Sequence, residues 1–187
     1  MANIPNLLTL LRIASIPLFV AIFYLPVPWS RPVCAVLFAA AALTDWLDGH
    51  LARRWRQTSP LGAFLDPVAD KLIVAVALVL LVQSDPRVVL ALPVALIIGR
   101  EIAVSALREW MAERGARAQV AVSWAGKAKT ATQMVAIWLL ILQPARWGAA
   151  YDILALGLLY VAAALALWSL WRYALAAWPH LRALAPP

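Results

Sequence analysis

The sequence predicts an all-α integral membrane protein with six transmembrane helices, and its composition is the first observation behind that prediction. Of its 187 residues, 65% are hydrophobic and only 13% are charged. Soluble domains are about 45–50% apolar and about 25% charged, so a disordered chain, a disulfide scaffold and an ordinary soluble enzyme are excluded. At about 20 apolar residues per span, the length accommodates roughly five to seven spans, and we expect residues 1–187 to form a single membrane domain.

Six apolar segments follow one another along the chain, with short turns between them. They cover residues 4–25, 32–55, 60–82, 87–113, 124–142 and 149–176. The first begins as an interfacial segment and is ended by Pro26 and Pro28, and the second ends in a run of arginines around Trp55. We expect Ser59 to cap the third segment, because serine is favoured at an N-cap and Pro60 is favoured at the first helical position.

Tryptophans mark the ends of the last three segments. Trp110 lies near the end of the fourth segment and Trp124 begins the fifth, whereas Trp147 and Trp171 lie near the two ends of the sixth. Tryptophan is enriched at both membrane–water interfaces, so these positions support the predicted boundaries.

Basic residues are divided unevenly between the two sides of this six-span arrangement. One side holds only three of them, Arg31, Arg87 and Arg146, and the other 13 of the 16 lie toward the opposite side. Because cytoplasmic loops carry an excess of lysine and arginine, we expect the second side, with both termini, to be cytoplasmic. This bias and anionic lipid account for the net charge of +7, and no nucleic-acid partner is expected.

Four aspartates lie inside the second and third spans, at Asp45, Asp48, Asp66 and Asp70. Ionisable residues in apolar spans are costly and are functional candidates. Asp45 and Asp48 are three residues apart and Asp66 and Asp70 are four apart, so each pair shares one helix face. In an antiparallel hairpin that turns near Gln57, all four lie at similar depth, roughly 14–20 Å above the turn.

Four carboxylates at one depth in a region of low dielectric need protons or cations to neutralise them. Oxygen ligands alone favour a hard cation such as Mg²⁺ or Mn²⁺. Helix capping is the plain alternative, and a proton or cation transport pathway is the functional one. Against transport, Gly49 and Gly62 leave backbone room for a bulky ligand, and Arg53 follows Gly49 by one turn. These residue types together favour a metal-bound pyrophosphate.

The segment that contains the aspartates also carries a family signature. Residues 45–70 read D-W-L-D-G-H-L-A-R-R-W-R-Q-T-S-P-L-G-A-F-L-D-P-V-A-D, which fits D-x2-D-G-x2-A-R-x8-G-x3-D-x3-D at every fixed position. The chain therefore resembles the CDP-alcohol phosphotransferases. Further stretches at residues 4–12, 100–112 and 122–130 resemble the bacterial branch of this family that makes phosphatidylglycerophosphate.

The resemblance implies a six-helix enzyme of the bacterial cytoplasmic (inner) membrane, usually a homodimer, with its active site facing the cytoplasm. Such an enzyme transfers the phosphatidyl group of CDP-diacylglycerol to the 1-hydroxyl of sn-glycerol 3-phosphate and releases CMP, within membrane lipid. The alternative within the family is an enzyme that uses serine, inositol phosphate or phosphatidylglycerol as acceptor.

The resemblance also implies roles for individual residues. Asp45, Asp48 and Asp66 correspond to ligands of two divalent cations, Mg²⁺ or Mn²⁺, and Asp70 corresponds to the general base, near or on the second metal. Four residues fall where the family binds the CDP moiety: Gly49, Ala52, Arg53 and Gly62. The sequence has no Ser–His or Cys–His set placed to form a covalent intermediate, so we expect direct displacement.

Cationic residues of the fourth and fifth spans are the candidates for binding the acceptor phosphate, and we select Arg100, Arg108 and Lys127. Lys127 and Lys129 are about 200° apart on a helix, so we assign Lys129 to anchoring at the cytoplasmic surface, which is also the alternative for Arg108. Glu101 points about 100° away from Arg100, which makes bound phosphate the expected partner of Arg100.

A polar stripe on the first helix has two interpretations. Asn6, Thr9 and Arg12 recur every third residue in an otherwise apolar segment. The stripe either flanks the nucleotide or forms the wet face of an interfacial helix, and the sequence favours neither.

Overall fold

The structure is a computed structural model, and it describes the backbone of residues 4–55, 60–114, 124–143 and 148–182. Side chains are described for residues 7–44, 62, 64–114, 129–143 and 148–179. Over these residues the chain is entirely helical outside its turns. The described part holds six helices: α1 (Ile4–Phe23), α2 (Ser30–Trp55), α3 (Pro60–Ser84), α4 (Val88–Glu113), α5 (Trp124–Leu142) and α6 (Gly148–Arg182).

Each predicted span corresponds to one of these helices, which confirms the all-α prediction for the part of the chain that is described. Helix α3 begins at Pro60 as expected, while the predicted cap Ser59 and the turn at Gln57 lie outside the described residues. The largest difference is at the end of α6, which continues to Arg182 instead of ending near residue 176. Gly148 begins α6 with a φ of 65°, a backbone conformation that glycine adopts without steric cost.

Two helices in the described part are long and apolar enough to cross a membrane. They are α4 over Val88–Glu113 and α6 over Gly148–Pro179, and only 33% of the apolar stretch of each is buried inside the chain. A core helix of a soluble protein is mostly buried, so this exposed apolar surface fits a lipid surrounding. Shorter apolar stretches lie at Leu7–Phe23, Ser30–Thr44 and Lys129–Leu142.

The chain divides into two compact units. The first comprises Met1–Asp85 and Ile137–Ala155, and within it α1 packs against both α2 and α3, which also contact each other. Its interior includes the fully buried side chains of Phe19, Phe38 and Leu78. Helix α1 is therefore the element that both of the aspartate-bearing helices contact.

The second unit comprises Pro86–Ala136 and Leu156–Pro187, and so contains α4, the first part of α5 and most of α6. Met111 of α4 and Ala177 of α6 are fully buried against each other, with Trp110 and Tyr173 packed around them. This contact explains why α6 extends beyond its predicted end: the residues past 172 still bury apolar surface, which stabilises further helical turns.

Candidate active site

The signature aspartates lie on two helices that both contact α1. Asp45 and Asp48 are in the C-terminal half of α2, and Asp66 and Asp70 are in the N-terminal half of α3. Six of the predicted site residues have side chains outside the described residues: Asp45, Asp48, Gly49, Ala52, Arg53 and Lys127. Their predicted roles remain predictions, and the described geometry concerns α3, α1 and the cationic residues of the second unit.

Asp66 and Asp70 occupy one face of α3, one helical turn apart, and both are half-buried. Gly62 lies one turn before Asp66 and is buried. Because residues four apart on a helix are neighbours on its surface, the two carboxylates and the glycine form one continuous strip. This is the arrangement that the spacing predicts for the third span.

Two side chains of α1 bind these carboxylates. The Thr9 hydroxyl donates a hydrogen bond of 2.5 Å to Asp66 Oδ1, and Arg12 Nη1 donates to Asp70 Oδ1, also at 2.5 Å, in an ion pair. The α1 residues ascend in the same order as their α3 partners, so the two helices run parallel along this contact. Thr9 and Arg12 of the polar stripe thus face Asp66 and Asp70.

Burial decides between the two interpretations of that stripe. Thr9 is 0% exposed and Arg12 is 4% exposed, whereas the neighbouring Leu7, Leu10 and Leu11 are exposed. The interpretation as a wet interfacial face is therefore wrong for Thr9 and Arg12, because these polar groups point inward and the leucines point outward. The side chain of Asn6 lies outside the described residues.

The carboxylate oxygens of this strip are suitable ligands for a divalent cation. The described groups are carboxylate oxygens, with two anions, Asp66 and Asp70, against the single cation Arg12. Mg²⁺ in proteins is usually bound by one or two carboxylates together with substrate phosphates. Asp66 and Asp70 on one face of α3 therefore suit a divalent cation, while the other two predicted ligands, Asp45 and Asp48, have side chains outside the described residues.

A second buried polar cluster surrounds Arg100 in the other unit. Arg100 is 8% exposed, and its Nη2 donates a hydrogen bond of 2.6 Å to the hydroxyl of Ser169 on α6. Its Nη1 donates to Glu101 Oε1 at 3.3 Å, and its guanidinium carbon lies 6.0 Å from the centre of the Tyr173 ring. The expectation that bound phosphate rather than Glu101 would be the partner of Arg100 did not anticipate this contact, in which two long side chains on adjacent residues bend across the 100° between them.

Lys129 of α5 joins the same cluster. Its ammonium group pairs with Glu101 Oε1, and the residue is 3% exposed. The assignment of Lys129 to surface anchoring is therefore wrong, because α5 places it against Glu101 of α4. Gln133, one turn further along α5, is also buried. Arg108, by contrast, is exposed on α4.

This cluster keeps unused hydrogen-bonding capacity. Within the described part of the chain, Arg100 Nε and Gln133 Oε1 are buried atoms with no hydrogen-bond partner. Two cations, Arg100 and Lys129, share the single carboxylate of Glu101. The cluster therefore carries an excess of positive charge and a buried N–H donor, which suit an anion.

Comparison with known proteins identifies the family to which this geometry belongs. The family model of the CDP-alcohol phosphatidyltransferases matches residues 2–178. The chain belongs to this family. Enzymes of the family generally depend on divalent cations, in agreement with the oxygen donors of Asp66 and Asp70. The resemblance that the signature carries is thereby confirmed.

Curated relatives are similar to the chain over nearly its whole length. The chain is 55% identical over 171 residues to the CDP-diacylglycerol–glycerol-3-phosphate 3-phosphatidyltransferase of Pectobacterium atrosepticum, covering 91% of this chain and 92% of that protein. It is 54% identical over 175 residues to proteins of the same name from Shigella flexneri and Escherichia coli K12. Each alignment covers 94% of this chain and 94% of the relative.

Two contacts of the structure differ from what the sequence predicts. The sequence offers two interpretations of Thr9 and Arg12 and does not predict their contacts with Asp66 and Asp70, although their spacing of three residues nearly matches the four-residue spacing of the two aspartates. Lys129 was set aside in favour of Lys127. In both cases the missing information is which helix packs on which, and helical spacing within one element does not contain it.

Proposed function

We propose that the protein transfers the phosphatidyl group of CDP-diacylglycerol to the 1-hydroxyl of sn-glycerol 3-phosphate, giving phosphatidylglycerophosphate and CMP. It is thus a CDP-diacylglycerol–glycerol-3-phosphate 3-phosphatidyltransferase. The observation that carries the proposal is the complete family signature on α2 and α3, of which Asp66 and Asp70 form one half-buried strip. The name shared by the relatives at 54–55% identity supports the choice of acceptor.

Asp45, Asp48 and Asp66 would hold two divalent cations, Mg²⁺ or Mn²⁺, with Asp70 near or on the second. When bound, such cations neutralise the pyrophosphate and stabilise the leaving oxygen of CMP. Asp70 accepts the proton of the attacking hydroxyl, and its carboxylate lies at the end of the α3 strip, 35% exposed. A partly exposed carboxylate at this position is accessible to a substrate hydroxyl, which supports its role as the base.

The CDP moiety is bound by Gly49, Ala52, Arg53 and Gly62. Small residues allow the ligand to approach the helix backbone closely, and Gly62 is buried one turn from Asp66. A side chain at residue 62 would occupy the space beside the carboxylate strip. Arg53 supplies a positive charge for a phosphate, a role that its position in the signature supports.

Arg100, Arg108 and Lys127 bind the phosphate of the acceptor. The strongest support comes from Arg100, whose Nε is a buried donor without a partner among the described residues. Arginine binds phosphate through pairs of N–H groups, so Nε is the group through which Arg100 would engage it. For Arg108 and Lys127 the support is the resemblance alone.

The chain forms a single membrane domain over residues 1–187. Its six helices span the bacterial inner membrane with both termini and the active site on the cytoplasmic side, and two copies form a homodimer. The exposed apolar surfaces of α4 and α6 support the membrane location. The distribution of 13 of the 16 basic residues supports the orientation.

The test is transfer of labelled glycerol 3-phosphate into lipid by the purified protein, with CDP-diacylglycerol and Mg²⁺ present. We expect labelled phosphatidylglycerophosphate and an equal amount of CMP, with free glycerol, serine and inositol as poor acceptors. Efficient transfer to serine or inositol would move the protein to another branch of the family. Cation flux without any lipid product would favour the transport alternative.

A further inference from the structure

Helix α1 carries buried polar groups that the family signature does not include. Thr9 and Arg12 are buried, whereas Leu7, Leu10 and Leu11 beside them on the helix are exposed. Each binds one signature aspartate of α3, across 57 and 58 residues of chain. Buried polar groups in proteins are hydrogen-bonded, so these two contacts help to fix the orientation of α1 about its own axis.

The converse also holds, because the contacts restrain the aspartates. The terminal torsion of an aspartate side chain is broad and does not by itself select one direction for the carboxylate. A donor held on Oδ1 selects one orientation and thereby directs Oδ2. In metal sites such outer partners of ligating carboxylates orient the ligands, and their loss typically costs about 10–100-fold in metal affinity or activity.

We propose that Thr9 and Arg12 are positioning residues of the cation site, which hold the carboxylates of Asp66 and Asp70 from helix α1. This inference rests on the proposed function, since it takes Asp66 and Asp70 as cation ligands. The aspartate site is then built from three helices, with α1 supplying orientation and α2 and α3 supplying ligands.

The test on Thr9 measures Mn²⁺ binding to the purified full-length protein by electron paramagnetic resonance, in the absence of substrate. Thr9→Val keeps the branched shape and removes the hydroxyl, so we expect Mn²⁺ affinity to fall about 10–100-fold. Thr9→Ser keeps the hydroxyl and should retain most of the affinity. The matched control is Ser15→Ala, which removes an α1 hydroxyl that binds only the Arg12 carbonyl of its own helix and should leave the affinity unchanged.

Arg12→Lys separates positioning from simple charge balance. Lysine keeps the positive charge but lacks the planar fork of the guanidinium. If Arg12 positions Asp70, Arg12→Lys should bind Mn²⁺ more weakly; if Arg12 only balances charge, Mn²⁺ affinity should not change. The folding of each variant is compared with that of the wild type by circular dichroism. If Thr9→Val does not fold, Thr9→Ser and Arg12→Lys still test the inference.

The outcomes distinguish this inference from the proposed function. Weaker binding in Thr9→Val and Arg12→Lys, with Thr9→Ser and Ser15→Ala close to wild type, supports positioning by α1. Unchanged Mn²⁺ binding in both Thr9→Val and Arg12→Lys overturns positioning and leaves the cation site in place. A wild-type protein that does not bind Mn²⁺ overturns the cation site, and the inference falls with it.

Discussion

Two buried arginines, one in each unit, lie in clusters of opposite charge balance. In the first unit, two carboxylates, Asp66 and Asp70, are described with one cation, Arg12. In the second, two cations, Arg100 and Lys129, share the single carboxylate of Glu101. An acid-rich cluster suits a cation and a base-rich cluster suits an anion. Burial of an arginine therefore does not identify its function, whereas the balance of the charges around it does.

The largest expected effect concerns the acid-rich cluster. Chelation of divalent cations should abolish transfer, because aspartates without their cations would repel a pyrophosphate instead of binding it. Addition of Mg²⁺ or Mn²⁺ should restore it. The measurement is the rate of labelled phosphatidylglycerophosphate formation before and after dialysis against a chelator. Full activity after exhaustive chelation would remove the cation site.

Replacement of the base within that cluster should have the next largest effect. Asp70→Asn keeps the size of the side chain but removes the proton acceptor, and we expect turnover to fall about 10²–10⁴-fold. The matched control is Asp152→Asn, at an α6 carboxylate that accepts a hydrogen bond from Gln143, and it should leave turnover unchanged. Wild-type turnover in Asp70→Asn, with Mn²⁺ still bound, would contradict the assignment.

A substitution in the base-rich cluster should change the KM for the acceptor and not the KM for CDP-diacylglycerol. A hydrogen bond to a charged group contributes about 1.5–3 kcal/mol, so Arg100→Ala should raise the KM for glycerol 3-phosphate about 10–150-fold. The KM for CDP-diacylglycerol should change far less, and Arg100→Lys should restore only part of the loss.

The control for Arg100 is Arg114→Ala, because Arg114 is exposed on the same part of the chain and its guanidinium lies 4.7 Å from the centre of the Trp110 ring. It should leave both KM values unchanged. If Arg100→Ala and Lys127→Ala both keep the wild-type KM for glycerol 3-phosphate, the proposed binding site for the acceptor phosphate is wrong and the cation site is unaffected.

Single-cysteine variants that test the orientation of the chain in the membrane should have the smallest effect on activity. Cys34 is buried and is the only cysteine of the chain, so a Cys34→Ala protein provides the background. Arg56→Cys and Arg117→Cys should react with impermeant reagents from the cytoplasmic side, and Arg87→Cys and Arg146→Cys from the other. The reverse pattern at either pair would overturn the proposed orientation.

The sequence predicts the helices well because apolar run length, proline and glycine are local signals. Pro60 begins α3 as expected, and the ends of α1 to α5 differ from the predicted ones by at most two residues. The end of α6 could not be predicted in the same way, because its last turns are stabilised by the contact of Ala177 and Tyr173 with Met111. That contact joins residues far apart in the sequence.

In the site, too, features within one helix are predictable from the sequence and contacts between helices are not. The spacing of Asp66 and Asp70 predicts their shared face, since both lie on one helix. The partners of Thr9, Arg12 and Lys129 lie on other helices, and helical spacing within one element says nothing about which neighbour it will meet. For Arg100 and Glu101 the rule of 100° per residue describes Cβ directions, and long side chains depart from them.

The parallel contact of α1 with α3 has a consequence for the biosynthesis of the protein. Asp70 follows Arg12 by 58 residues. At a translation rate of about 5–20 residues per second, the ribosome reaches Asp70 about 3–12 s after Arg12. Helix α1 is therefore complete seconds before Asp70 exists, and Arg12 cannot form its ion pair until this part of α3 has been synthesised.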